Sequence, residues 1–259
     1  MKVNVVFGLL ILSLVISSCD QKKDSAEPVM APAVILKDIT SFLAYRQQNV
    51  KLDEDFLALD TVSNRLDRGS FLKLIATGNY FPLRLKSKDS TAIYQLATLT
   101  PSTNQDIRIT VKYWGLEEWE HYQKEGTPLP DYTFTDLDGK RYTKTTTKGK
   151  ILVLKCWFLA CLPCIQEIPV LNDLKQRYKD RDDILFVSLC FDSPEKVAAF
   201  LKKKKFDYAV VPNQQKFLED TLQVNSYPTH FVINRQGLIA RKVNSYPGLA
   251  YALAKEARR

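Results

Sequence analysis

The hydrophobic and polar positions of this chain fall into two textures that meet near residue 125. From about Ala33 to Gln123, short apolar runs alternate with polar breaks, as in "GSFLKLIATGNYFPLRL", "TAIYQLATLT" and "DIRITVKYWGL", and this alternation predicts several antiparallel strands. Between Ile35 and Leu74, "ITSFLAYRQQNV" and "EDFLALDTVSNRLDRGSFLKLI" have helical spacing in places. From Gly126 the pattern becomes regular. "GTPLPDYTFTDLDGKRYT" reads as a hairpin with Asp138-Gly139 as its turn. Then follow strand "KILVLKCWF", helix "CLPCIQEIPVLNDLKQRYKD", strand "DILFVSLCFD", helix "SPEKVAAFLKKKK", strand "DYAVVP", helix "QQKFLEDTLQV", strands "THFVINRQG" and "IARKVNS", and helix "YPGLAYALAKEARR". Strands separated by helical patterns predict an α/β sandwich around a mixed sheet.

The first eighteen residues stand apart: a lone Lys2, an apolar run and small residues directly before Cys19 read as a secretory signal. Val3 to Ile16 is short for a bilayer core of roughly 30 Å, and no later stretch approaches the ~20 apolar residues of a spanning helix. The ending "VISSC" resembles a bacterial lipoprotein signal, which implies lipidation of Cys19. The alternative is an ordinary cleaved signal followed by an incidental cysteine. "DQKKDSAEPVMAPA" then reads as a flexible tether. The expected organisation is a signal at 1–18, a tether at 19–32, a mainly-β domain at 33–124 and a second domain at 125–259.

With 259 residues, 45% of them hydrophobic, the chain is long enough for two domains that each bury a core. Its net charge of +8 favours anionic surfaces or acidic partners. The densest basic run, Lys202 to Lys205, follows a predicted helix and lacks interleaved aromatics, so it reads as a solvated helix end and no nucleic-acid partner is expected. The first half shows no catalytic constellation, which leaves packing or partner binding as its default role.

Chemistry concentrates in "KCWFLACLPCIQEIP". Cys161 and Cys164 stand at C-x-x-C spacing where a strand gives way to a helix, and Pro163 suits a first helical turn. There the first-turn N–H groups and the helix dipole favour the Cys161 thiolate, which makes Cys161 the attacking thiol and Cys164 the more buried, resolving one. A zinc site would want a second ligand pair, yet Cys156 and Cys190 lie in strand patterns and His121 and His230 are isolated, so no metal is expected. A purely structural staple gains little from so short a loop. Redox exchange is the favoured reading, with no cofactor beyond the Cys161–Cys164 disulfide.

From about Pro128 onward the chain resembles thioredoxin-fold proteins of the TlpA/ResA type, the membrane-tethered thiol:disulfide oxidoreductases of bacterial envelopes. The residues that carry this are "WFLACLPC" and "YPTHFVINRQG". The resemblance implies a thioredoxin-like three-layer sandwich beside the separate N-terminal mainly-β domain. It assigns Cys161, Cys164, Glu167 and Pro228 to catalysis, with Tyr227-Pro228 as a cis peptide, and Trp157, Leu162, Pro163, Tyr227 and Thr229 to the substrate-binding surface. Glu167 matches an acidic residue implicated in proton handling; a partly buried carboxylate with a raised pKa suits that role, and an exposed helix glutamate is the alternative. Lys155 stands where thioredoxin has a buried aspartate; pairing with Glu167 and snorkelling to the surface are both open.

Leu162 and Pro163 offer the Cys161 thiolate neither charge nor side-chain donor, which favours a reductase. The implied partners are protein disulfides and an upstream membrane electron donor, on the periplasmic side of the cell envelope, with apocytochromes before haem attachment as one substrate class. Disulfide oxidase or isomerase, peroxidase and partner-binding module are the alternatives. Cys161 lacks a Thr-x-x-Cys peroxidatic motif.

Overall fold

The computed structural model describes residues 27–88 and 91–259, so the expected signal, Cys19 and most of the expected tether lie outside the described residues. The N-terminal unit runs α1 (Pro32–Ile35), α2 (Ile39–Asn49), β1 (Phe56–Leu59), β2 (Arg65–Leu66), α3 (Arg68–Ala76), β3 (Tyr80–Leu85), β4 (Ala92–Thr98) and α4 (Gln105–Lys124). Its strands form one sheet in the order β2-β1-β4-β3, with β1 and β4 parallel and the other pairs antiparallel. Asp38, Asp67 and Asn104 start α2, α3 and α4 by accepting N–H groups of the first turn. The core is aromatic, with Phe42, Tyr45, Phe71, Phe81 and Tyr94 all buried against Ile107 and Val111 of α4.

This unit corrects the mainly-β expectation, because its helices hold more residues than its strands. "DIRITVKYWGL", expected as a strand, lies inside α4. β-branched residues suit either state, and burial of Ile107, Val111 and Trp114 along one helical stripe decides between them. A second correction concerns the end of the tether. Val29 N–H donates to Arg84 O at 2.9 Å and Lys86 N–H to Glu27 O at 2.8 Å, so residues 27–29 dock on β3. The unpaired backbone of an edge strand provides the partners.

The C-terminal unit contains β5 (Thr133–Thr135), β6 (Arg141–Thr143), β7 (Ile151–Trp157), α5 (Leu162–Gln166), α6 (Ile168–Arg177), β8 (Ile184–Cys190), α7 (Pro194–Leu201), β9 (Ala209–Val211), a π-helical turn at Phe217–Thr221, β10 (Thr229–Ile233), β11 (Ile239–Val243) and α8 (Tyr246–Ala257). Five strands form a sheet in the order β11-β10-β7-β8-β9; β7, β8 and β9 run parallel, and β10 and β11 are antiparallel to their neighbours. β7 is central and buried on both faces, which its unbroken apolar run demands. One face packs on α6, α7 and α8 through Ile168, Leu171, Val197, Leu249 and Leu253. The other is covered by the β5–β6 hairpin and the π-helical turn through Phe134, Tyr142, Leu218 and Leu222. This is the expected three-layer α/β sandwich.

Helix α4 lies along the edge strand β11 and joins the two units. Arg241 of β11 is buried, and its guanidinium donates to Asp55 at 2.8 Å and Glu125 at 2.7 Å. Asp53 accepts from Ser245 Oγ at 2.7 Å, beside the start of α8. Gly248 is required there, since a methyl group on it would overlap the Asp53 carboxylate.

Candidate active site

β7 delivers the chain to the top of the sheet, where Trp157 ends it and residues 158–160 turn toward α5. The turn is held by Leu159 N–H donating to Asp192 Oδ2 at 2.8 Å and by Cys161 N–H donating to Phe158 O at 3.1 Å. Cys161 occupies the N-cap of α5 and is joined to Cys164 by a disulfide. Cys164 N–H donates to Cys161 Sγ at 3.3 Å, so the helix start faces the sulfur that would carry negative charge after reduction. Cys164 is wholly buried, Cys161 is 5% exposed, and Leu162 at 65% exposure stands out beside them with Pro163.

The loop 226–229 approaches from the neighbouring strand. Tyr227-Pro228 is a cis peptide, as expected from the resemblance. The Tyr227 ring meets Phe158 at 5.5 Å and Phe191 at 5.0 Å between centroids, both edge to face, which ties this loop to the turn that carries Cys161.

A row of polar side chains crosses the sheet under the dithiol. Register pairs His230 of β10 with Lys155 of β7, and Lys155 with Ser188 of β8, so all three point to the face that holds Cys161 and Cys164. Lys155 is fully buried and does not snorkel. Its Nζ donates to Cys164 O at 3.1 Å and forms an ion pair with Glu167. His230, also fully buried, places Nε2 at 3.2 and 3.3 Å from the two Glu167 oxygens. A carboxylate accepts, so Nε2 carries the proton and Nδ1 is left buried with no partner among the described residues. Burial lowers the pKa of both Lys155 and His230. Burial also acts to raise that of Glu167, but the hydrogen bond from His230 and the charge of Lys155 hold it below the ordinary carboxylate value.

The sequence-predicted residues divide accordingly. Cys161, Cys164, Leu162, Pro163, Tyr227 and Pro228 gather at one end of the sheet, and Glu167 stands beneath them. The raised Glu167 pKa is corrected, because two buried neighbours offset the desolvation that the expectation rested on. Trp157 is corrected as a substrate contact: it is fully buried against Phe200 and Phe206. Thr229 is also fully buried, with Oγ1 engaged to Ser226 O and Asn244 Oδ1. Cys156 and Cys190 sit on opposite faces of the sheet, and burial pushes each thiol up to about 12. His230 was missed, although alternation along "THFVI" places it on the same face as Val232 and so toward the dithiol layer. Among the described residues there is no group of three His, Cys, Asp or Glu side chains arranged to hold a metal ion, and no helix long and apolar enough to cross a membrane.

The AhpC/TSA family matches residues 126–242. Thiol-disulfide oxidoreductase ResA of Bacillus cereus is 30% identical over 119 residues, which cover 46% of this chain and 68% of ResA. Thioredoxin-like protein YneN of Bacillus subtilis is 30% identical over 139 residues, covering 50% of this chain and 80% of YneN. Among solved structures, a putative thiol:disulfide interchange protein DsbE from Chlorobium tepidum is 23% identical with a TM-score of 0.46, over 52% of this chain and 95% of that one.

Proposed function

The chain belongs to the thioredoxin-like thiol-disulfide oxidoreductases of the ResA type, and from that membership we propose that it reduces protein disulfides in the cell envelope through Cys161 and Cys164. The single observation that carries this is the Cys161–Cys164 disulfide at the start of α5, next to the turn whose Phe158 packs on Tyr227 of the loop that contains Pro228. In the reduced protein the Cys161 thiolate attacks a substrate disulfide, forming a mixed disulfide and releasing one substrate thiolate. Cys164 then loses its proton and attacks Cys161 Sγ, which re-forms the internal disulfide and releases the second substrate thiolate. Two electrons pass from the dithiol to the substrate. A membrane-bound thiol donor returns them, and no other cofactor takes part.

Leu162, Pro163, Tyr227 and Pro228 form the surface that receives the substrate. Glu167, kept ionised by Lys155 and backed by the neutral His230, accepts the proton that Cys164 gives up. Lipidation of Cys19 holds the protein at the membrane, and apocytochromes awaiting haem are a substrate class of the right chemistry. The test is reduction of insulin disulfides with dithiothreitol as electron source: the wild type accelerates it, and Cys161→Ser abolishes the acceleration. An inactive wild type would overturn the proposal.

A second function, disulfide formation, draws support from one observation: Cys164 N–H donates to Cys161 Sγ at 3.3 Å at the start of α5, and a donor that stabilises this thiolate raises the potential. Equilibration with glutathione or dithiothreitol separates the two. A potential near or below roughly −270 mV fits a reductase, and one near roughly −120 mV fits an oxidase.

A further inference from the structure

We propose that helix α4 of the N-terminal unit sets the conformation of the 226–229 loop at the active site, with Glu117 as the positioning residue. The role follows from three contacts on one stripe of the helix. Glu117 Oε1 accepts from Ser226 Oγ at 2.8 Å and from Asn244 Nδ2 at 2.7 Å. One turn later Glu120 Oε2 meets Asn225 Nδ2 at 3.5 Å, and one turn beyond that Lys124 Nζ donates to Gln223 Oε1 at 2.8 Å. Residues 117, 120 and 124 share a face of the helix, and Ser226, Asn225 and Gln223 all belong to the segment that leads into Pro228.

The same network closes on itself through Asn244, which follows β11. Asn244 Nδ2 donates to Ser226 Oγ at 2.8 Å, and Thr229 Oγ1 lies 2.7 Å from Ser226 O and 2.8 Å from Asn244 Oδ1. Glu117 is therefore the one side chain of the N-terminal unit in a ring of groups from Ser226, Thr229 and Asn244. Both donors to its oxygen belong to the C-terminal unit, and a carboxylate acceptor makes these bonds stronger than neutral ones. The loop they fix carries Tyr227, whose ring packs on the turn that holds Cys161. The N-terminal unit thus prepares the surface that a polypeptide substrate must meet, and it does not touch the sulfurs.

On the reductase function proposed above, the consequence is selective. In the full chain, Glu117→Ala raises the KM for insulin about tenfold, the equivalent of one lost hydrogen bond to a charged group. Its rate with oxidised glutathione, which is too small to span the loop, and its Cys161–Cys164 potential stay at the wild-type values. Glu117→Gln keeps the Oε1 acceptor and rescues the KM. An unchanged KM in Glu117→Ala, or an equal loss toward insulin and glutathione, overturns the proposal. If Glu117→Ala does not fold, Ser226→Ala removes one donor to the same oxygen and takes its place, with a KM rise of about threefold expected. Hydrogen exchange gives a readout that needs no activity: amides from Gln223 to His230 exchange faster in Glu117→Ala, and unaltered exchange there overturns the positioning role even if the wild type reduces insulin. A wild type inactive on insulin whose loop exchange still depends on Glu117 would sink the reductase function and leave the brace standing.

Discussion

At the scale of single residues, the ion pair beneath the disulfide is the least replaceable feature. Lys155→Met leaves Glu167 buried without its cation, and loss of one partner of such a pair costs about 3–5 kcal/mol of unfolding free energy at neutral pH. Denaturant titration measures this, and Lys155→Met combined with Glu167→Met recovers most of it, because two apolar side chains leave no orphan charge. The pH dependence weakens with the substitution. In the wild type the depressed Glu167 pKa adds stability above the ordinary value of 4.5, and that stability is lost as acid protonates the carboxylate. In Lys155→Met the hydrogen bond from His230 still opposes burial, but the lysine's contribution is gone, so the Glu167 pKa moves up and the stability gained by ionisation above 4.5 shrinks. Unaltered Cys164 reactivity in Lys155→Met would also argue against Glu167 as its proton acceptor.

Glu118 of α4 makes a complementary case. Trp114 Nε1 donates to its Oε1 at 3.0 Å, yet burial, with the Asp53 carboxylate adding to it, pushes its pKa up to about 7. A raised carboxylate stabilises the fold fully below its ordinary 4.5 and loses that contribution as the pH rises through 7. Glu118→Gln is expected to flatten this decline, so that melting temperatures recorded from about pH 5 to 8 change less than in the wild type. Cys161 and Cys164 were legible in the sequence because C-x-x-C spacing at a strand-to-helix junction carries chemistry, and Glu167 came through the family resemblance. His230 was not, because a single histidine in a strand shows its partner only once β10 is laid against β7 in register.

At the scale of elements, α8 depends on what stands at its start. Ser245 caps it by accepting from Gly248 N–H at 3.1 Å, and Asp53 in turn accepts from Ser245 Oγ. Gly248→Ala drives a methyl into the Asp53 carboxylate and is expected to lower stability by about 1–3 kcal/mol, the usual range for overpacking a tight site, as read by thermal unfolding. Restoration by Gly248→Ala combined with Asp53→Ala would locate the damage at that contact. The elements of the C-terminal unit follow its regular alternation of apolar runs, whose β strands are continuous because both faces are buried. α4 escaped the same treatment. Its apolar positions are diluted by "KYWGLEEWEHYQK", since the stripe formed by Glu117, Glu120 and Lys124 faces a polar loop of the other unit in place of a core.

At the scale of the whole molecule, the two units share their charges. Glu125 accepts from both Arg68 and Arg241 at 2.7 Å, and Asp55 accepts from Arg241 and from Lys255 at 2.5 Å. A chain cut to residues 125–259 loses Asp55 and the cover that α4 gives β11. It is expected to unfold at lower denaturant than the intact protein, because it loses the packing of α4 on β11 and the Asp55 partner of Arg241. Equal midpoints for the C-terminal unit in the two forms would show that the contact adds nothing to it.

The docking of residues 27–29 on β3 has a bearing on geography. On the proposal that Cys19 is lipidated, Glu27 stands eight peptide steps from the lipid, a span of at most about 28 Å. Such an anchor would hold β3, on which Glu27 docks, within that distance of the bilayer surface. A thiol carrier so anchored would meet donors and acceptors that share its own membrane, at high local concentration and in a limited set of orientations.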